Sequence, residues 1–514
     1  MDELKGLVHL FKMYGDMRSM GLIRMGCVAV MVVCFLNRGH TQELTRELEK
    51  FSIERQQRIN AFLSLHPNQK IIEGGRLLVD VSPFGTPIYK KSHSNLQAAF
   101  TVGADFLKEE GGSFYELEGE GMLIGVWEAD VPNSSHDEFS RRVSQRDNPV
   151  FTQGDHATHV IGTIAAAGLN PSAKGMSSRV QVDSYDAAND DSELLNAAQK
   201  GLLISSHSYG VLSGWDGGTW YGDAAISPNE DWKFGFYTAE TRIWDQIIFD
   251  NPQLLICKSA GNDRGDSGPG RPSDGPYDCV SDVATAKNIL TVGAVSGLSS
   301  RYVGPSDVRM SDFSSWGPTD DGRIKPDIVA MGVNVLSTFS QNNGYGVLSG
   351  TSMSTPNVSG SLVLLQQMYH RLHGKYMDAA TLKGLVLHTA REAGTSNGPD
   401  YQFGWGLANI DGAARFIKGV DSVNNILLTR TLAQGQKLQI PIHLTSGQKT
   451  KVTIIWTDPA GEVSPISLDP TEVKLVNDLN LVVQDDVGNT FFPWVLEPSN
   501  PSKAATQGIN TRDN

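Results

Sequence analysis

Short runs of consecutive apolar residues alternate with helix-like segments through the middle of the chain. The runs cover 122–127, 180–182, 202–204, 254–257 and 289–292. A strand that is apolar at every position is typical of a parallel sheet buried on both faces. Segments with helical periodicity separate several of the runs, for example 191–203 and 237–249. The alternation predicts an α/β fold with a doubly wound, mostly parallel sheet that binds ligands at the carboxyl ends of its strands.

The pattern changes beyond residue 424. Apolar and polar residues alternate there with a period of two, at 438–442 and 451–456, and no long apolar helix pattern appears. This pattern predicts a small β-sandwich domain over 424–514. The pattern is still running at the last residue, so we expect the chain to contain only part of this domain.

The longest apolar run lies near the amino terminus, at 25–36, with arginines on both sides. Twelve residues are too few to span a bilayer but match the apolar region of a secretory signal. We therefore predict a signal peptide over 17–41, with translation starting at Met17 or Met20, and a secreted or cell-surface protein. The alternative is a buried helix at the amino terminus.

Composition and charge exclude some partners. The 514 residues carry a net charge of −14, which argues against a nucleic-acid partner. We expect no membrane association after signal removal, and a monomer. Two cysteines would remain in the exported chain, Cys257 and Cys279, and their spacing matches no metal site. A disulfide between them and two free buried thiols are both open at this point.

A serine stands at the start of the most apolar helical pattern. Residues 350–356 read GTSMSTP, and apolar residues recur at helical spacing from Val358 to Met368. Pro356 is tolerated in the first turns of a helix. Free N–H groups and the helix dipole at that end favour an anion, such as the oxyanion formed when Ser352 attacks a carbonyl. The alternative is a polar loop that only caps a core helix.

Further motifs follow the predicted strands and suit the same chemistry. His156 lies in GDHATHV, Asn262 ends the segment Ala-Gly-Asn, and Ser208-Tyr209-Gly210 follows the run at 202–204. Together with the serine motif, these segments resemble the subtilisin-like serine proteases, the subtilases, from about residue 120 to 418. The resemblance implies that Ser352 is the nucleophile, His156 its general base and Asn262 a side-chain donor to the oxyanion. It also implies that 208–210 pairs with an extended peptide substrate.

The acid that completes a Ser-His-acid triad has more than one candidate in this sequence. The subtilases normally have Asp at the end of the first strand of the sheet, and the strand register places Glu128 there. Asp130 comes two residues later, on the same side of an extended chain. Glu128, Asp130 and the absence of a functional acid therefore remain three alternatives.

The resemblance also implies a domain order. Residues 42–110 match a propeptide or leader in position, and 115–420 match the catalytic domain. The segment 424–514 resembles the jelly-roll domain of some alkaline subtilases. No cofactor is implied for the chemistry. Asn and Asp residues at 457–458 and 477–480 could ligate a structural calcium ion, or simply form turns.

These observations favour a secreted serine endopeptidase that cleaves polypeptides through an acyl-enzyme. The first alternative is a non-catalytic, peptide-binding relative, because Glu128 occupies the position of the usual Asp. The second is a surface or adhesion protein in which the β domain binds the partner and the protease fold is a scaffold.

Overall fold

The structure, a computed structural model, describes residues 50, 53–55, 57–66, 72–73, 76–91, 94–108, 115–420, 425–443 and 450–514. The chain divides into two compact units, and the first ends at Lys91. The predicted signal peptide at 17–41 lies outside the described residues. No helix among the described residues is long and apolar enough to cross a membrane.

The first unit contains helical residues 57–65 and a three-stranded antiparallel sheet. Its strands, in the order in which they pair, are β1 (Ile72–Glu73), β2 (Arg76–Val81) and β3 (Pro87–Lys91). Buried side chains of the helical segment and of β2 form a small apolar cluster: Ile59, Phe62, Leu78 and Val81.

The second unit contains the large sheet and several small ones. Its strands, in chain order, are β4 (Leu123–Glu128), β5 (Val143–Gln145), β6 (Gln181–Asp186), β7 (Ile204–His207), β8 (Trp215–Asp216), β9 (Thr219–Trp220), β10 (Leu255–Ser259), β11 (Leu290–Val295), β12 (Ile328–Met331), β13 (Val335–Thr338), β14 (Tyr345–Leu348), β15 (Val483–Gln484), β16 (Thr490–Phe491), β17 (Trp494–Val495) and β18 (Thr506–Gln507).

Seven of these strands form one sheet in the order β12-β11-β10-β7-β4-β6-β5, and every neighbouring pair is parallel. Strands β7, β10, β11 and β12 are buried at every position, and apolar runs of the sequence overlap the first three of them. The chain adds β5 and β6 on one side of β4 and then β7, β10, β11 and β12 on the other. The doubly wound α/β fold is therefore confirmed, and its switch point lies between β4 and β7.

The helices of the second unit are α1 (Asn95–Val102), α2 (Asp155–Ala165), α3 (Asp190–Gln199), α4 (Ala239–Asp250), α5 (Thr351–His373), α6 (Ala379–Thr389) and α7 (Ile410–Lys418). Helix α5 packs against β7, β10, β11 and β12 and contacts α2 and α7. It is buried from Thr351 to Tyr369, which fixes its amino-terminal end relative to the sheet.

Helix α1 belongs to the second unit, although the sequence placed its residues at the end of the leader. The Asn95 side-chain amide donates to the carbonyl oxygens of Thr163 (3.1 Å) and Lys174 (2.9 Å). Ala98, Ala99 and Val102 are part of the large apolar core. The position of any processing site stays a prediction.

The carboxyl-terminal part holds small antiparallel sheets, β15 with β16 and β17 with β18. The structure differs from the alternating pattern at 438–442 and 451–456, which have no strand assignment in the described chain. Alternation sets which side chains share a face, but a strand also needs a neighbour that pairs with its backbone. The side chains of Ile440 and Ile454 are accordingly 47% and 39% exposed.

Asp458, one of the residues considered for calcium, serves a different purpose. Its carboxylate forms a fully buried ion pair with Lys287 and accepts the backbone N–H groups of Val476 and Asn477, each at 2.8 Å. Its oxygens are therefore occupied by protein donors. Cys257 and Cys279 are both free and buried, which answers the question of their pairing.

Candidate active site

Strand β4 and helix α2 bring the predicted acid and base together. Glu128 is the last residue of β4 and is 1% exposed, because the strand ends inside the unit. His156 is the second residue of α2. Its Nδ1–H donates to Glu128 Oε2 at 2.9 Å. Of the two acids considered, Glu128 is therefore the one that contacts the imidazole.

Asp130 lies next to the site, but its carboxylate contacts the backbone of α2 and not the imidazole. Its carboxylate accepts the backbone N–H groups of His156 (3.2 Å) and Ala157 (2.6 Å), at the amino-terminal end of α2. A carboxylate in this position satisfies free N–H groups and interacts favourably with the helix dipole. Gly154 allows this approach, because a β-carbon there would lie 1.8 Å from Asp130 Oδ2.

Ser352 is the second residue of α5 and is 9% exposed. Its hydroxyl donates to the carbonyl oxygen of Ser208, directly after β7, at 3.1 Å. The hydrogen bonds of the described residues do not include one between Ser352 and His156. Such bonds are often long or absent before substrate binds, so the observed rotamer is compatible with the predicted role.

Asn262 follows β10 and is oriented by the start of α5. Its Oδ1 accepts the backbone N–H (2.9 Å) and the hydroxyl (3.0 Å) of Thr351. With the oxygen engaged in this way, the amide Nδ2 is left as the donor. Nδ2 and the Ser352 N–H nitrogen lie 3.5 and 3.6 Å from the position that a β-carbon on Gly350 would take, so the two donors are neighbours.

The turn before Asn262 requires glycine. Gly261 has φ 106°, and a β-carbon there would lie 2.6 Å from Asp263 Oδ2 and 2.8 Å from Ser315 Oγ. Only glycine combines this conformation with that close approach. The Ala-Gly-Asn motif is thus a geometric requirement for placing Asn262 beside α5.

Burial and charge set the protonation of the pair. Burial raises the pKa of Glu128 above its ordinary value, and the adjacent imidazole opposes that rise. Burial lowers the pKa of His156, but the charge and hydrogen bond of Glu128, together with the charge of Asp130, raise it by more, so its pKa lies above 6.5. Glu128 therefore stabilises the imidazolium that forms when His156 accepts a proton as a general base.

A buried lysine forms a hydrogen bond to the backbone of the segment 208–210. Lys258, in β10, is 1% exposed and donates a hydrogen bond to the carbonyl oxygen of Tyr209. Its Nζ lies 3.9 Å from Asp282 Oδ2, and the Tyr209 hydroxyl donates to Asp190 Oδ2 at 2.6 Å. The sequence analysis did not single out Lys258, although a cation inside an apolar run was a signal that could have found it.

Comparison with known proteins defines the class. A model of the subtilase family matches residues 79–406, more than half of the chain. Similar proteins carry peptidase or proteinase in their names. The class defined by these matches is that of the peptidases. Within it, the chain belongs to the subtilase family.

The similar proteins match over short segments. C5a peptidase of Streptococcus pyogenes is 56% identical over 64 residues, which cover 12% of this chain and 5% of that protein. The PII-type proteinase of Lacticaseibacillus paracasei is 46% identical over 80 residues, covering 15% of this chain and 4% of that protein. The match to a subtilisin-like protease of Arabidopsis thaliana is 37% identical over 130 residues and covers 22% of this chain and 16% of the relative.

Solved structures align over more of the chain. The self-cleaved protease domain of PatA is 22% identical with a TM-score of 0.42, covering 59% of this chain and 99% of that domain. A lanthipeptide protease is 15% identical with a TM-score of 0.44, covering 63% of this chain and 95% of its own. The family assignment rests on the family model, because both TM-scores are low.

Proposed function

We propose that this chain is a secreted serine endopeptidase that hydrolyses peptide bonds through Ser352, His156 and Glu128. The observation that carries the proposal is the 2.9 Å hydrogen bond from His156 Nδ1 to the buried carboxylate of Glu128. A carboxylate in this position fixes the tautomer that leaves Nε2 unprotonated and able to accept a proton. The non-catalytic alternative relied on Glu replacing Asp; the contact between Glu128 and His156 supports the catalytic proposal instead.

The acylation step uses these groups in a fixed order. Ser352 Oγ bonds to the carbonyl carbon of the scissile peptide while its proton moves to His156 Nε2. The carbonyl oxygen becomes an oxyanion, which accepts hydrogen bonds from Asn262 Nδ2 and the Ser352 N–H. The C–N bond then breaks, and His156 returns the proton to the leaving amine. The product of this step is an acyl ester on Ser352.

Deacylation repeats the sequence with water as the nucleophile. His156 Nε2 takes a proton from the water as its oxygen bonds to the acyl carbon. The bond to Ser352 Oγ breaks, and the imidazolium returns the proton to that oxygen. The enzyme recovers its starting state, and no metal or organic cofactor takes part in the proposed steps.

Polypeptides are the proposed substrates. Residues 208–210 follow β7 at the switch point, and their backbone can pair with an extended peptide largely independently of its side chains. The Lys258 hydrogen bond to Tyr209 holds this segment in place. Secretion is proposed from the apolar run at 25–36 alone, and it is tested by fractionating cells that express the full chain.

The activity is tested by comparing the wild-type protein with Ser352→Ala on internally quenched peptides, with the cleaved bonds identified by mass spectrometry. Ser354→Ala is the matched control, since Ser354 lies in the same motif and its buried hydroxyl only donates to Thr351 O at 2.9 Å. We expect Ser352→Ala to lower kcat by at least about 10⁴-fold and the control to remain active. Equal cleavage by Ser352→Ala and wild type would refute the proposal.

A further inference from the structure

The segment 208–210, which the proposed function assigns to the substrate backbone, is positioned mainly by side chains. It has no strand assignment, and the backbone–backbone hydrogen bonds outside the strands and helices of the described chain do not involve it. The carbonyl oxygen of Tyr209 accepts the buried Lys258 ammonium, and that of Ser208 accepts the Ser352 hydroxyl. A segment whose backbone is not paired in a sheet keeps one conformation only if other contacts restrict it.

A row of side-chain hydrogen bonds connects this segment to the start of helix α3. The Tyr209 hydroxyl donates to Asp190 Oδ2 at 2.6 Å, and His207 Nδ1 lies 3.0 Å from the same hydroxyl oxygen. His207 Nε2 lies 2.9 Å from the Ser205 hydroxyl oxygen. Burial lowers the pKa of His207 well below its ordinary value, so the imidazole is neutral and has one donor and one acceptor nitrogen.

With Asp190 as a carboxylate, only one arrangement of protons satisfies the four groups. The Tyr209 hydrogen is used on Asp190, so the Tyr209 oxygen accepts the N–H of His207 Nδ1. Nε2 is then the acceptor and takes the hydrogen of the Ser205 hydroxyl. Removing one member of such a network leaves a neighbour without its partner.

The surroundings hold both ends of this network in place. The His207 ring stacks on Trp127 at a centroid distance of 5.0 Å and makes an edge contact with Trp244 at 4.7 Å. The Trp244 indole N–H donates to Asp191 Oδ1 at 2.7 Å, and Asp190 Oδ1 accepts the Asp191 N–H at 2.8 Å. The first turn of α3 is therefore attached to α4, and it presents the Asp190 carboxylate to the tyrosine.

We propose that Asp190 is a positioning residue for substrate binding and acts through the Tyr209 hydroxyl. This role rests on the proposed function, since it concerns how 208–210 meets a peptide. Asp190 fixes the end of the tyrosine side chain, and Lys258 fixes the carbonyl oxygen of the same residue. The backbone groups of 208–210 are then in place before a peptide arrives. Such preorganisation raises affinity, because the segment does not have to be ordered during binding.

The predicted signature is a change in KM with little change in kcat. Backbone hydrogen bonds to an extended peptide are present in the substrate complex and in the transition state alike. Weakening them equally in both states raises KM and leaves kcat nearly unchanged. A change in stability alone would not produce this separation of the two constants.

The test compares Tyr209→Phe, Asp190→Ala and the double variant on a fluorogenic peptide, at equal concentrations of folded protein. We expect each single substitution to raise KM by at least about fivefold and to change kcat by less than about twofold. The double variant should match the more affected single variant, because both substitutions remove the same hydrogen bond. Asp190→Asn keeps an oxygen that can accept the hydroxyl, so its KM should lie closer to that of the wild type.

Tyr376→Phe is the matched control. It removes the same atom from a tyrosine that, like Tyr209, is partly buried against the core. Tyr376 lies beyond the carboxyl-terminal end of α5, whereas Ser352 lies at the amino-terminal end. KM and kcat should therefore both stay unchanged.

A second readout does not require catalysis. In the Ser352→Ala chain, the affinity for a fluorescein-labelled peptide of the sequence cleaved by the wild type is measured by anisotropy. Adding Tyr209→Phe should weaken this affinity by about the same factor as it raises KM. If the Ser352→Ala chain binds the peptide and Tyr209→Phe leaves the affinity unchanged, the positioning role fails while the proposed function stands. If the wild type neither cleaves nor binds peptides, the proposed function fails and the positioning role with it.

Two further outcomes would overturn the positioning role. The first is a fall in kcat at constant KM in Tyr209→Phe and Asp190→Ala, which would show that the network only supports the folded state. The second is an additive effect on KM in the double variant, which would show that Asp190 acts through a contact other than the Tyr209 hydroxyl.

Discussion

Replacing Glu128 by Gln tests the triad acid at almost constant shape. The carboxylate oxygen that accepts the His156 Nδ1–H becomes an amide NH₂ or, after rotation of the amide, a carbonyl oxygen. The first orientation forces the single proton of the neutral His156 imidazole onto Nε2, where it prevents that nitrogen from accepting the proton of Ser352. The second keeps the tautomer but places the NH₂ at the buried Oε1 position, which has no hydrogen-bond partner among the described residues, at a cost of about 1–3 kcal/mol.

Neither orientation restores the negative charge that stabilises the imidazolium. In trypsin, the corresponding exchange of the triad Asp for Asn lowers kcat about 10⁴-fold. We expect a loss of the same order for Glu128→Gln, which corresponds to about 5.4 kcal/mol of transition-state stabilisation. KM should change little, because Glu128 is buried and is not expected to contact the substrate.

Asp130→Asn is the matched comparison. The Asn oxygen can still accept one of the two backbone N–H groups at the start of α2, so we expect a loss of about 1 kcal/mol in stability and less than a tenfold change in kcat. Both variants are assayed on a fluorogenic peptide at equal concentrations of folded protein, with folding checked by circular dichroism. A 10⁴-fold loss in Asp130→Asn together with a mild effect in Glu128→Gln would refute the assignment.

Three other predictions concern neighbouring groups. Removing the equivalent side-chain donor in subtilisin lowers kcat by about 10²–10³, and we expect the same for Asn262→Ala with KM nearly unchanged in steady-state assays. The general base must be neutral, and the pKa of His156 is raised above 6.5, so kcat/KM should rise with pH through an apparent pKa above that value. The residual activity of Glu128→Gln should show a lower apparent pKa than the wild type. A wild-type pKa below 6.5 would contradict the proposed pairing. Lys258→Met leaves the Tyr209 carbonyl without its buried donor, so in the Ser352→Ala chain the unfolding free energy should fall by about 1–3 kcal/mol in urea titrations; an unchanged midpoint would exclude this role.

A local sequence pattern was enough to predict those features that are formed by a single segment of the chain. The apolar runs predicted the buried strands β4, β7, β10 and β11 to within a few residues. The segment 350–356 predicted a serine at the start of a long buried helix, which the structure places as Ser352 in α5. These features depend on residues that are neighbours in the sequence.

The choice between Glu128 and Asp130 could not be made in this way. Both acids follow the same strand, two residues apart, and differ only in how they meet the start of α2. Asp130 reaches the backbone N–H groups of that helix, while Glu128, inside the unit, reaches the side chain of His156. The distinction depends on the position of a helix that lies later in the sequence.

Contacts between segments that are distant in the chain also could not be predicted from the sequence. Lys258 is visible as a cation in an apolar run, but its partners Tyr209 and Asp282 lie in other segments. Asp190 begins α3 and Tyr209 follows β7, and only the packing of these elements brings the two side chains together. Such groups depend on tertiary packing, which periodicity does not encode.

The claim that Ser352 is the nucleophile is tested most directly by covalent labelling. The protein is treated with a fluorophosphonate and digested, and the modified residue is located by mass spectrometry. We expect one label per active molecule, on Ser352, with labelling strongly reduced in Glu128→Gln and abolished in Ser352→Ala. Labelling of another serine in the folded wild-type protein, or none at all, would contradict the proposed activity.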